Sequence, residues 1–170
     1  NWQEGVDNFS GDEEMFKNML SKLEKLTLDE YTTKLYQMFT EKNWAEFHQS
    51  AHSLRGLGGY VAAEPFKNKA NELREKSELM KKHNEGSEEV KVSEDDVAGA
   101  YVEFLKEAIR LKKYLANLNS KQADVAELER QMTELKKSHR VTVAVETNQP
   151  SSGGCCTIFQ GSYYTNNTNE

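Results

Sequence analysis

Cysteine, proline and long apolar runs are scarce in this sequence of 170 residues, which has two cysteines and two prolines. The cysteines, Cys155 and Cys156, are adjacent, so they cannot form a disulfide framework or supply a four-ligand zinc site. No apolar run approaches the roughly 18 residues that a membrane-spanning helix needs. Residues 1–10 lack the basic and apolar stretches of a signal peptide. These absences predict a cytoplasmic protein, with the nucleus as a second compartment open to it.

The balance of charges and the lack of nucleotide-binding motifs argue against nucleic-acid binding, nucleotide binding and kinase activity. The chain has 28 acidic and 22 basic residues, a net charge of −6 and a mean hydropathy of −0.83. Nucleic-acid binding usually requires a cationic face that displaces the counterions of the phosphates, which this balance does not favour. The sequence also lacks a Gly-x-x-x-x-Gly-Lys loop and kinase motifs, so we expect neither nucleotide binding nor kinase activity.

Helix start signals recur along the first two thirds of the chain. Ser10, Thr27 and Asn43 are each followed three residues later by a glutamate, as in a capping box, and Ser93 is followed by Asp96. Behind each start, apolar residues recur at spacings of three and four, which predicts amphipathic helices. We therefore expect an all-α protein, with an antiparallel four-helix bundle and an N-terminal helix.

Two segments follow this bundle domain, which we place at residues 1–118. Residues 119–140 are highly charged with a thin apolar stripe, and no glycine or proline separates them from the preceding helix. They are predicted to form a helical extension, which could continue the last bundle helix and pair with a second copy of the chain as a coiled coil. The alternative is a loosely docked or solvated helix. Residues 141–170 are predicted to be a mostly irregular tail, disordered or forming a weak hairpin.

The residues that carry chemistry gather around His52. At about 100° per residue, one face of the helix after Asn43 lies beside the apolar stripe, at the rim of the bundle. The residues on this face are His48, His52, Arg55, Gly56 and Gly59. His48 and His52 are also spaced as a metal-binding pair, but the face offers no third ligand and Arg55 would repel a cation. We therefore expect an exposed His52 and no metal site.

Glycine is unusually frequent after His52. Gly56, Gly58 and Gly59 each cost about 1 kcal/mol in a helix relative to alanine, so we expect them to serve another purpose. A glycine one turn after the histidine lets another protein approach closely. Arg55 supplies a cation suited to an anion on the ring. An exposed imidazole, a bare backbone and a fixed positive charge predict a site that holds a phosphoryl group.

Eight residues of this region follow a known pattern. They are His52, Leu54, Arg55, Gly56, Ala63, Phe66, Ala70 and Leu73. With them, residues 10–118 resemble the histidine phosphotransfer (HPt) family, whose signature is His-x-Leu-Lys-Gly followed by small and apolar residues. The resemblance implies a four-helix bundle of the HPt type in which His52 is phosphorylated. It also implies that Arg55 replaces the lysine of the family and that Gly56 is the docking glycine.

Other positions depart from the family pattern or extend the site. Ala62 stands where the family often has glycine, and Arg74 where many members have a glutamate or glutamine that hydrogen-bonds the histidine. Arginine cannot accept a hydrogen bond, so we expect Arg74 to favour the phosphorylated form instead. Lys67, two turns earlier, would extend the cationic patch. His48 and Gly59 are predicted to contact the docking partner.

The resemblance implies a phosphocarrier in a multistep His-Asp phosphorelay of two-component signal transduction. His52 would carry the phosphoryl group between aspartates of receiver domains, without the chain being an independent enzyme. The implied partners are response-regulator receiver domains and a hybrid sensor histidine kinase, with Mg²⁺ on the receiver and no cofactor on this chain. Two alternatives stay open: an HPt-like scaffold that binds receivers without transfer, and an adaptor that dimerises through residues 119–140.

Overall fold

The computed structural model describes residues 1–24, 28–86 and 91–141. Within these ranges the chain forms helices and no strand, which confirms the predicted all-α class. The helices are α1 (Trp2–Asp7), α2 (Glu13–Lys22), α3 (Leu28–Thr40), α4 (Trp44–Tyr60), α5 (Glu64–Asn84), α6 (Glu94–Leu118) and α7 (Ala126–Ser138). None of the helices in the described ranges combines the length and the apolar character that crossing a membrane requires.

The helix starts follow the predicted caps in two of the described cases. Asn43 accepts a hydrogen bond from the backbone N–H of Glu46 at 3.3 Å, and Ser93 forms a complete, reciprocal capping box with Asp96. The prediction for Ser10 is wrong, because Asp12 caps α2 instead. Ser10 has a positive φ of 57° after α1 and cannot occupy the extended conformation of an N-cap. Thr27 lies outside the described residues.

Besides Ser10 after α1, three further helix ends carry a left-handed residue that is not glycine. Lys42 after α3, Ala62 after α4 and Ser120 after α6 have φ values of 55°, 51° and 52°. At the end of α4, Ala63 N–H donates to the carbonyl of Gly58 at 2.9 Å and Ala62 N–H to that of Gly59 at 3.2 Å, the two bonds of a Schellman motif. Each motif satisfies carbonyl groups that the helix end would otherwise leave unpaired.

The core lies between α3, α4, α5 and α6. α3 packs against α4, α4 against α5, and α5 against α6. Phe47 lies 5.8 Å from Phe39 and 5.6 Å from Tyr101 between ring centroids, and Phe66 lies 5.2 Å from Phe104. Burying each such ring stabilises the fold by roughly 1.5–3 kcal/mol. This core holds α4 and α5 side by side and so sets the geometry of the histidine face.

The segment between α1 and α2 closes the carboxyl end of α4. The amide nitrogen of Asn8 donates to the carbonyl oxygens of Gly59 and Tyr60, at 3.2 and 3.1 Å. The ring of Phe9 packs against that of Tyr60 with centroids 5.6 Å apart. The N-terminal helices therefore border the same end of α4 that carries the glycines.

The extension predicted for residues 119–140 does not continue the preceding helix. α6 ends at Leu118, and Ser120 turns the chain through its Schellman motif, so that α7 folds back onto α6. Leu128 and Leu135 of α7 are each 2% exposed. The same chain therefore covers Leu128 and Leu135, and it partly covers the other two residues of the predicted stripe, Val125 and Met132.

The predicted hairpin of the tail, together with Cys155 and Cys156, lies almost entirely outside the described residues, which end at Val141.

Candidate functional site

His52 lies in the middle of α4 with its side chain exposed, while Ala51 and Leu54 beside it are fully buried. The whole predicted stripe of α4 is buried: Trp44, Phe47, Ala51, Leu54, Gly58 and, just after the helix, Val61. His52 therefore stands at the rim of the core, where the helical period places it. Its imidazole makes no hydrogen bond or ion pair with any other residue in the described ranges.

The glycines of this helix have different surroundings. A Cβ atom built on Gly56 would meet nothing within 4 Å, so the surface one turn after His52 is open. A Cβ on Gly58 would come within 2.9 Å of both Cα and Cβ of Lys67, because the backbones of α4 and α5 approach closely there. Gly59 is intermediate, at an ordinary 3.7 Å from the side chain of Lys67. Gly58 therefore serves helix packing, whereas Gly56 is free of any packing demand.

The register of α4 against α5 is visible at both ends of the histidine face. Nε2 of His48 lies 3.4 Å from a carboxylate oxygen of Glu78, and Gly59 faces the side chain of Lys67. In an antiparallel pair, four residues forward on α4 correspond to four residues back on α5. One turn along from His48 and Glu78, the matched positions are residues 52 and 74.

By this register Arg74 lies at the position level with His52, but its guanidinium contacts its own helix. Nε of Arg74 donates to Oδ1 of Asn71 at 3.3 Å, and a terminal nitrogen lies 3.6 Å from Oε1 of Glu75. No hydrogen bond joins Arg74 to His52 within the described ranges. Arg74 is thus a cation at the matched position of the neighbouring helix, and among the described residues its guanidinium is held only by those of its own helix.

The other two predicted cations differ in how they are neutralised. Nζ of Lys67 lies 2.7 Å from a carboxylate oxygen of Glu64 in the first turn of α5, so its charge is largely balanced locally. Arg55, exposed on α4 three residues after His52, has no carboxylate partner in the part of the chain that the structure describes. Of the three cations, Arg55 is the one for which carboxylates of the described chain compete least with an anion on His52.

His48 is bound into the seam between α4 and α5 instead of facing outward. Its side chain is 19% exposed, with Nδ1 3.1 Å from the carbonyl oxygen of Arg74 and Nε2 facing Glu78. Partial burial opposes ionisation of Glu78. However, a hydrogen bond from Lys82 and the nearby charges of His48 and Lys81 outweigh that effect and leave the pKa of Glu78 below its ordinary value. Sequence periodicity put His48 on the face but could not show that the neighbouring helix holds its ring.

An apolar surface, which the sequence pattern did not indicate, borders the histidine face. Tyr60 is 58% exposed and Met15 56% exposed. A depression of about 250 Å³ is lined by Met19, Tyr31, Ser53, Leu57 and Tyr60, and Met15 lines another depression that also includes Met19. The available signal was that Leu57 and Tyr60 lie off the buried stripe of α4. Their meeting with α2 and α3 depends on tertiary packing.

Within the described residues, no group of three or more histidine, cysteine, aspartate or glutamate side chains could hold a metal ion. A scan against models of protein families finds no match for this chain, and searches of curated proteins and of solved structures find none either. The resemblance to HPt domains therefore rests on the residues themselves and on the placement of His52, Arg55 and Gly56 on one open face of α4.

Proposed function

We propose that this protein is a histidine phosphotransfer carrier, with α3–α6 as its antiparallel four-helix bundle and His52 as the residue that is phosphorylated. The observation that carries the proposal is the state of His52: exposed, without a protein partner in the described ranges, and one turn from an open Gly56. A structural histidine would be expected to hydrogen-bond its neighbours, as His48 does. His52 is available for chemistry in a position where a second protein can reach it.

The reaction is an in-line transfer between an aspartate and an imidazole. The lone pair of Nε2 on neutral His52 attacks the phosphorus of a phospho-aspartate, the bond from phosphorus to the carboxylate oxygen breaks, and the aspartate leaves as a carboxylate. Transfer to a second aspartate reverses these steps. Because the transition state is loose, the chain mainly has to position the imidazole and balance negative charge. The helix α4 is rigid and so holds the imidazole of His52 in position.

Arg55 supplies the charge in this proposal. It lies one turn after His52 on the same exposed face and has no carboxylate competitor in the described ranges. A guanidinium can bind two phosphoryl oxygens at once through parallel N–H donors. Lys67 contributes less, because Glu64 already balances it.

The partner would cover both the open glycine and the apolar surface. A receiver domain has to bring its aspartate within bonding distance of Nε2, which requires the bare backbone at Gly56. Exposed Tyr60, two turns after His52 on the same helix, then offers apolar contact to the partner. By resemblance, the partners are response-regulator receivers and a hybrid sensor kinase, which bring the Mg²⁺ and the acidic pocket, in the cytoplasm or the nucleus.

The decisive experiment is transfer from a receiver domain charged with acetyl phosphate. Label on the wild-type chain should be acid-labile and base-stable, and it should be absent from the His52→Gln variant. His83→Gln is the matched control, since His83 is also an exposed helical histidine but lies at the far end of α5; it should be labelled like wild type. Equal labelling of His52→Gln and wild type would refute the proposal.

A second variant separates docking from chemistry. Gly56→Leu places a side chain on the open surface and should slow transfer from the receiver at least tenfold. The small donor phosphoramidate needs no protein interface, so it should still phosphorylate His52 in this variant. If receivers bind wild type but never deliver label, the chain is a scaffold and not a carrier.

A further inference from the structure

The backbone carbonyl of Arg74 accepts two hydrogen bonds, whereas its guanidinium has only weak contacts. Its carbonyl oxygen accepts hydrogen bonds from Oγ of Ser77 at 2.8 Å and from Nδ1 of His48 at 3.1 Å. Its guanidinium, in contrast, makes one long hydrogen bond to Asn71 and lies 3.6 Å from Glu75, too far for a second. Arginine has five N–H donors, so most of them have no acceptor in the described part of the chain.

The competing carboxylate holds Arg74 only weakly. The side chain of Glu75 is 59% exposed, against 28% for Arg74. An ion pair this exposed contributes little, and water can solvate the glutamate once the arginine leaves. The free energy needed to turn the guanidinium away from its own helix is therefore small.

We propose that Arg74 turns onto the phosphoryl group when His52 is phosphorylated, and that this contact biases the transfer equilibrium toward this chain. The inference rests on the proposed function of His52. A dianionic phosphoryl group on the level of Arg74 offers three strong acceptors, which Asn71 and a distant Glu75 do not. Arg55 approaches the same group from α4, so that the two guanidiniums hold it from adjacent helices.

The bias toward the phosphorylated chain follows from the thermodynamic linkage between the Arg74 contact and the phosphorylation of His52. The contact between Arg74 and the phosphoryl oxygens exists only in the phosphorylated state, so it stabilises that state relative to free His52. When a receiver exchanges a phosphoryl group with this chain, the fraction found on the receiver's aspartate at equilibrium is therefore lower. The chain acts as a phosphoryl reservoir as well as a relay.

A partner-free reaction isolates this step. In phosphoramidate the nitrogen is protonated; Nε2 of neutral His52 attacks the phosphorus, the phosphorus–nitrogen bond breaks, and ammonia leaves with the bonding electrons. The imidazole keeps its Nδ1 proton and now carries the phosphoryl group. No receiver or Mg²⁺ is needed, so the environment of the product can be measured on this chain alone.

The test compares phosphorus NMR titrations of the phosphorylated wild type, Arg74→Gln and Arg74→Lys. A cation in contact with the phosphoryl group favours its dianion, so the phosphoryl resonance should titrate at lower pH in wild type and Arg74→Lys than in Arg74→Gln. Lys76→Gln is the control: it removes the same charge from the same helix, but Lys76 faces Asp96 of α6. It should titrate like wild type.

The equilibrium is then measured with a receiver present. The ratio of phosphohistidine to phospho-aspartate should fall about threefold in Arg74→Gln, as expected for one exposed charge-assisted contact, and stay near wild type in Arg74→Lys. Identical titrations and ratios for wild type and Arg74→Gln would overturn the inference while leaving phosphotransfer intact. Failure of phosphoramidate to label His52 at all would overturn the proposed function, and this inference with it.

Discussion

The imidazole of His48 donates from Nδ1 to the backbone carbonyl of Arg74, 3.1 Å away on the next helix. A carbonyl oxygen can only accept, so this contact assigns the proton to Nδ1. It ties the helix of His52 to the backbone of the residue level with His52. The same carbonyl also accepts from Ser77, whose hydroxyl is fully buried. The spacing between α4 and α5 at the site is thus held by polar contacts as well as by packing.

Replacing His48 should loosen this seam. His48→Ala removes the hydrogen bond to Arg74 and the contact with Glu78, so we expect the free energy of unfolding to fall by about 1–2 kcal/mol in urea titrations. Gln49→Ala, at the exposed next position, should change it by less than about 0.5 kcal/mol. Equal effects of the two variants would show that the His48 contact does not stabilise the hairpin.

The two glycines at residues 56 and 58 should respond to alanine in opposite directions. Gly58→Ala pushes a Cβ to 2.9 Å from the Cα of Lys67, and the helices must separate, at a cost of about 1–3 kcal/mol. Gly56→Ala meets nothing within 4 Å, and alanine is the better helix former, so we expect a gain of up to about 1 kcal/mol. Thermal unfolding of both variants checks this, and a loss for Gly56→Ala would contradict the open surface.

The end of α6 offers a stabilising substitution. Ser120 has a φ of 52°, a conformation that glycine adopts without steric cost, so Ser120→Gly should raise the free energy of unfolding by about 0.5–1 kcal/mol. Asn117→Gly, within the last turn of α6, should lower it instead. Calorimetry would distinguish them. If both variants lose stability, the chain does not turn at residue 120 in the way described.

Docking of α7 should weaken in acid. Glu134 has a pKa below the ordinary value of 4.5, mainly because it accepts a hydrogen bond from Tyr36 and also one from Arg130. The pKa of Glu127 is likewise lowered, chiefly by its hydrogen bond from Arg130. A carboxylate whose pKa is lower in the folded state stabilises the fold above its unfolded pKa. That stabilisation is lost as the pH falls through the lower, folded value.

Amide hydrogen exchange of α7 measures this dependence. Protection of α7 should be constant near neutral pH and should decline below about pH 4.5, where these glutamates take up protons. Glu134→Gln should reduce protection at pH 7 and make it less sensitive to acid. Glu129→Gln serves as the control: it removes the same charge from α7, and Glu129 lies 3.8 Å from Lys113, without a contact to Tyr36. An acid response unchanged in Glu134→Gln would contradict this role of the carboxylate.

Much of the helical layout was predictable from local patterns. Asn43 and Ser93 mark true helix starts, because a side-chain acceptor three residues before a free backbone N–H is a purely local device. The ends were harder to predict, since Lys42, Ala62 and Ser120 take a backbone conformation in which glycine is expected. Nothing local distinguishes Ser120 from a residue inside a helix. The sequence therefore left open whether the helix continues past Leu118, and only the structure shows that it ends there.

The features of the histidine face also divide into those that a local pattern predicts and those that depend on tertiary packing. Helical periodicity by itself determined that His52, Arg55 and Gly56 share one exposed face, because that requires only the angle per residue. Only tertiary structure decided that His48 is held by α5, that Gly58 packs and that Arg74 keeps to its own helix. These outcomes depend on how closely two helices approach and which polar groups meet across the seam. Contacts between distant parts of a chain are set by packing, which no local pattern encodes.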